Sequence, residues 1–111
     1  MTAQEMTPVI FRAYDVVFDK QDRFTECIAL FPTIPGDYTN PQLVESYMLV
    51  GQHGSADYSK VVNDTRPAGE AEYEHLYDKL VQLGYKLKVV KRETAKHRRL
   101  RREEAKAWSE I

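Results

Sequence analysis

His53, Ser55 and Asp57 stand two residues apart in Gly51-Gln52-His53-Gly54-Ser55-Ala56-Asp57. They are the three residue types from which a nucleophile, its base and an orienting carboxylate are built. Gln52 adds an amide, so Gln52, His53, Ser55 and Asp57 make the polar segment that reads most readily as a site. A working nucleophile system is assembled in space by serine-to-histidine and histidine-to-carboxylate hydrogen bonds, a geometry that close neighbours on a tight loop seldom reach. A small hydrolase centred on His53, Ser55 and Asp57 is therefore the alternative reading. The plainer one is a strand end whose glycines permit unusual backbone angles while His53 or Asp57 caps a turn.

Other chemistries find less support. His53 with Asp57, or His75 with Asp78, offers two ligands where zinc takes four donors or three plus water, so no metal site is expected. Gly51-Gln52-His53-Gly54 lacks the glycine spacing, the lysine and the Ser/Thr of a phosphate loop, and no cofactor is expected. Cys27 is the single cysteine, so no intramolecular disulfide can form. Inside an apolar run it reads as a small buried hydrophobe.

Charge is the stronger hint. The net charge of -1 conceals a division: residues 1–85 hold 6 Lys+Arg and 13 Asp+Glu, net -7, and residues 86–111 hold 10 and 4, net +6. An acidic body thus carries a basic C-terminal segment. Lys96, Arg98, Arg99, Arg101, Arg102 and Lys106, with Trp108, form the candidate partner-binding set, suited to an acidic protein surface or to nucleic-acid phosphates. The bland counterpart is a solvated helix whose charges pair internally, Arg99 with Glu103 for instance. The body would repel phosphate, and no helix-turn-helix or base-stacking platform is legible. The segment can equally meet acidic patches of its own chain or of a second copy, which leaves a homo-oligomer open. Trp108 and Ile111 inserted between subunits of a larger assembly is a further possibility.

The elements that must position these residues read as follows. Val9 to Tyr14 is β-branched and aromatic, hence a strand. Glu26 to Phe31 makes a second strand, stopped by Pro32 and Pro35, and Gly36 to Pro41 an exposed loop. Ser46 to Val50 makes a third strand. Gln52 to Pro67 reads as a long ordered loop with one short helical turn around Asp57 to Val62. Tyr73, Leu76, Tyr77, Leu80 and Leu83 share one side of a helix that opens on Glu70, Glu72 and Glu74 and closes at Gly84. Lys86 to Val89 alternates, with Tyr85, Leu87 and Val89 inward and lysines outward, as an edge strand does. From Glu93 onward no Pro or Gly interrupts a run of good helix formers.

At 111 residues the chain is one domain's size. The expected fold is α+β: a small, mainly antiparallel sheet in the order β-β-β-α-β, covered by one helix, with residues 1–92 as the domain and 93–111 as a basic helical extension. No apolar run approaches bilayer length and Met1 to Thr7 has no secretory character. No membrane partner is expected, and the expected location is the cytoplasm.

Val9-Ile10-Phe11-Arg12, Ile28-Ala29-Leu30-Phe31-Pro32-Thr33-Ile34-Pro35, Ser46-Tyr47-Met48-Leu49-Val50-Gly51-Gln52-His53-Gly54-Ser55-Ala56-Asp57 and Gly84 to Arg92 together resemble a group of small uncharacterised bacterial and phage proteins without an assigned activity. The likeness covers roughly residues 9–92 and omits the basic helix. It implies a link to phages, plasmids and other mobile elements, and by association an inhibitor or accessory binding role.

Overall fold

The structure, a computed structural model, describes residues 6–17, 23–48 and 52–109. Four antiparallel strands form the body of one sheet in chain order: β1 (Thr7–Val17), β2 (Arg23–Pro35), β3 (Leu43–Met48) and β4 (Gln52–Asp57). Helix α1 (Tyr58–Asp64), the two-residue β5 (Arg66–Pro67), helix α2 (Glu70–Gln82), β6 (Leu87–Val89) and helix α3 (Ala95–Ser109) complete the chain. The outer edge of β1 is shared: Arg12 and Ala13 pair with β5, and Thr7 to Val9 pair in parallel with β6. The expected class holds, a mainly antiparallel sheet packed against helices that include the C-terminal one.

Strand alternation divides the core. Val9, Phe11, Ala29 and Phe31 point to one face, where Leu76 and Leu80 of α2 cover them and Tyr73 stacks on Phe11 with ring centroids 4.3 Å apart. Ile10, Leu30 and Val44 point to the other face, under Tyr58 and Val61 of α1. Both faces are therefore roofed. Each large side chain fully buried in this way contributes about 1.5–3 kcal/mol before chain entropy is set against it.

Helix ends explain where the elements stop. Asp57 caps α1 by accepting from Lys60 N–H at 3.2 Å. At the other end of α1 the buried Arg12 of β1 donates to Val62 O at 3.1 Å, Thr65 O at 2.7 Å and Thr65 Oγ1 at 2.9 Å, so a cation from the sheet satisfies the helix's last carbonyls. In α2, Glu72 accepts from Gly69 N–H at 2.9 Å and from both amino groups of Arg66 at 2.8 and 2.6 Å. Its C-terminus closes with Tyr85 N–H on Leu80 O and Gly84 N–H on Val81 O, Gly84 standing at φ 105° where only glycine is unstrained.

Four expectations need correction. The stretch from Gln52 to Pro67 is no loop: β4 and β5 flank the helix α1, which stands where the short helical turn was expected. β2 runs through Pro32 to Pro35, because the register with β3 shifts between Phe31 and Pro35 and so absorbs the missing N–H. Leu83 is 49% exposed, since α2 ends there and the chain turns away. Val89 is also exposed, leaving Leu87 as the inward residue of β6. Leu49, Val50 and Gly51 lie outside the described residues.

Candidate functional site

β4 places His53, Ser55 and Asp57 on one face of the sheet edge, a strand's period being two. At about 3.3 Å rise per residue their Cα atoms step about 6.6 Å apart, within reach of a side-chain hydrogen bond, yet the three make none with one another. Each is bonded elsewhere. Ser55 Oγ donates to Gly36 O at 2.5 Å, Asp57 caps α1, and His53 Nε2 lies 3.1 Å from Tyr85 Oη. The His53 ring also meets Tyr47 edge-on, with centroids 4.7 Å apart.

Burial raises the pKa of Glu45, with His53 opposing, and burial with Glu45 and Tyr47 nearby raises that of Tyr85. Gln52 starts β4 opposite Met48. Gly36 explains why Ser55 is held where it is: a Cβ at residue 36 would lie 2.5 Å from Val44 O and 2.9 Å from Ser55 Cα, so only glycine lets the β2–β3 connection press against the hairpin. The polar segment thus knits strand edge, loop and helix together.

Cys27 Sγ donates to Glu72 O at 3.3 Å, and burial raises its pKa, the reverse of what a thiolate nucleophile needs. Among the described residues no three His, Cys, Asp or Glu side chains come together to hold a metal, and no helix is long and apolar enough to cross a membrane.

α3 lies against β2 and presents its cations unequally. It starts with a reciprocal cap: Thr94 N–H donates to His97 Nδ1 at 3.1 Å, and His97 N–H donates to Thr94 Oγ1 at 3.2 Å. His97, Arg101, Ala105 and Trp108 then follow at helical spacing along the inner side. Arg101, expected to meet a partner, is instead 4% exposed. Its guanidinium donates to Pro32 O and Pro41 O, both at 2.7 Å, and its Nη1 lies 2.6 Å from Glu93 Oε1, whose side chain is 5% exposed. The Glu93 contact is ionic in nature, for no N–H is aimed squarely at that oxygen. Glu93 is itself placed by its N–H, which donates to Tyr58 Oη at 2.9 Å.

The remaining cations face outward. Lys96, Arg98, Arg99 and Arg102 are exposed, and Arg99 Nε stands 4.0 Å from Glu103 Oε1. Lys106, also exposed, continues the row of Arg98 and Arg102 at four-residue steps. Among the described residues no carboxylate forms an ion pair with Arg98 or Arg102. Trp108 is 54% exposed, packs against Tyr38 with centroids 5.1 Å apart, and donates from Nε1 to Glu104 at 3.3 Å. Ile111 lies outside the described residues.

Composition hid the docking of this helix because its inner stripe is not apolar. An arginine occupies the position a leucine would, so counting hydrophobic residues finds no face to bury. The faint signal was the spacing of Arg101, Ala105 and Trp108. Arg12 was missed likewise, as one cation in a strand otherwise read as core.

No protein-family model matches this chain, and comparison with curated proteins and with solved structures found no similar one.

Proposed function

We propose that this chain is a non-enzymatic binding or accessory protein, phage- or mobile-element-encoded and cytoplasmic, that engages an acidic partner through α3. The partner is nucleic acid or a nucleic-acid-handling protein complex, on which it acts as an inhibitor. The observation that carries this reading is the division of labour on α3. Arg101 anchors the helix from within, while Arg98 and Arg102, outward on the same helix, have no carboxylate paired with them among the described residues. Cations held on a docked helix lose less freedom on binding than cations on a loose tail, and phosphates or carboxylates brought to them complete a pairing the fold leaves open.

The test is charge reversal. Cutting the chain after Arg92 would also remove Arg101 and uncover β2, so loss of binding there would be ambiguous. Arg98→Glu with Arg102→Glu leaves the inner side of α3 intact. Fluorescence anisotropy with labelled single-stranded and duplex DNA and RNA, and with polyglutamate as an acidic-protein surrogate, should show binding by the parent and its loss in the double variant at unchanged melting temperature. Equal binding by both proteins would remove α3 as the contact surface.

A further inference from the structure

A groove of 870 Å³ opens between α3 and the ends of β1, β2 and β6, with Met6, Pro8, Ile34, Val90 and Leu100 as its apolar lining. Met6 and Leu100 stay 54% and 37% exposed, so apolar surface is left facing water and gains by being covered. Lys88 and Lys96 line the same groove as Glu103 and Glu104, a balance that selects an ion of neither sign.

The order of those charges along α3 carries more information than their sum. Lys96 stands four residues before Leu100 and Glu104 four after it, while His97 stands three before and Glu103 three after. Steps of three and four keep these five side chains on one side of the helix, the side that lines the groove. Lys96 forms no ion pair among the described residues, and it sits in the first turn of α3, where the helix dipole disfavours a cation. Glu104 accepts from Trp108 Nε1 at 3.3 Å, a bond that leaves its carboxylate charged. Glu103 stands 4.0 Å from Arg99 with both side chains exposed, a pairing worth little. His97 Nδ1 accepts from Thr94 N–H, so a neutral ring carries its proton on Nε2 and has it to donate.

A stripe whose charges change sign about its middle residue is complementary to its own copy turned end for end. With a two-fold axis at Leu100, each residue of α3 meets the one equally far on the other side of Leu100 in the second copy. Lys96 then opposes Glu104 and His97 opposes Glu103, each contact made twice, with the two Leu100 side chains at the centre. The first-turn Lys96 also comes to the C-terminal half of the opposite helix, where the dipole favours a cation. We propose that the groove seats a second copy of this chain, α3 antiparallel to α3, with Leu100 of each copy covered by the groove of the other. Arg98 and Arg102 do not line the groove, so this contact and the proposed meeting with an acidic macromolecule use different sides of α3 and fail independently.

Sedimentation velocity of the full chain from about 10 μM to 1 mM, the range suited to a contact of limited extent, should show a reversible monomer–dimer equilibrium. Lys96→Glu sets carboxylate against carboxylate, and Glu104→Lys sets ammonium against ammonium, so either variant alone should dimerise roughly tenfold more weakly. Mixed in equal amounts, the two variants should pair with each other about as tightly as the parent does with itself, because every opposed position again holds one charge of each sign. Both residues are exposed, and unchanged melting temperatures will show that the variants are folded. A parent that stays monomeric up to the millimolar limit overturns the proposal and leaves the groove to another occupant. A dimer that neither substitution weakens, or a mixture that associates no better than its separate components, equally overturns it.

Discussion

Replacing Arg101 by Met keeps the length and apolar stem of the side chain and removes the guanidinium. Three consequences follow from the geometry. Glu93 is left as a carboxylate with a 5% exposed side chain and no counter-charge, and Pro32 O and Pro41 O each lose a donor at 2.7 Å. Breaking a buried ion pair from one side costs about 3–5 kcal/mol, and for a domain of this size each kcal/mol lowers the melting temperature by about 4 °C, giving a fall of about 12–20 °C. Urea melts followed in parallel by far-UV circular dichroism and by emission of Trp108, the chain's single tryptophan, will show whether α3 leaves first. Adding Glu93→Leu should return at least half of the lost stability, because a pair replaced on both sides leaves no uncompensated charge. A loss below about 1 kcal/mol for Arg101→Met, with no gain from the second substitution, would refute the anchoring role.

Other expectations follow from the packing. Leu80→Ala, at a fully buried position of α2, should cost about 2–5 kcal/mol in chemical denaturation. Gly36→Ala should destabilise by about 1–3 kcal/mol, since the new methyl meets backbone that cannot rotate away, and a neutral result would mean that the β2–β3 connection is not pressed against the hairpin. The Glu72 carboxyl is held down to about 2, chiefly by its hydrogen bonds from Arg66 and then from Gly69 N–H. A depressed carboxyl pKa adds stability above the unfolded value that is lost as pH falls toward the folded one, so melting temperature should drop between about pH 4.5 and pH 2. Glu72→Gln should make that part of the acid profile flatter.

How much of this was legible in the sequence depended on whether an element carries its own signal. α2 was readable because five apolar residues share a side and both ends carry cap residues; only Leu83 strayed, at the turn where helical spacing stops applying. β1 announced itself through Val9, Ile10 and Phe11. β4 did not, since Gln52, His53, Gly54 and Ser55 have no strand character of their own and become a strand by pairing with β3, Tyr47 opposite His53. The same holds for Pro32, which looks like a stop until a register shift accommodates it. The candidate site was legible as a set of cations and not as a surface. Arg98 and Arg101 are the same residue type three positions apart, and what separates an exposed charge from a structural bolt is Glu93 and two distant carbonyls brought close by the fold.

The most direct test of the account is the salt dependence of binding to whichever polyanion the parent binds most tightly. If Arg98 and Arg102 meet phosphates, log affinity should fall linearly with log salt for the parent, and the slope should shrink by roughly one for each of the two positions neutralised to Gln. An identical slope in the parent and in Arg98→Gln with Arg102→Gln would contradict it.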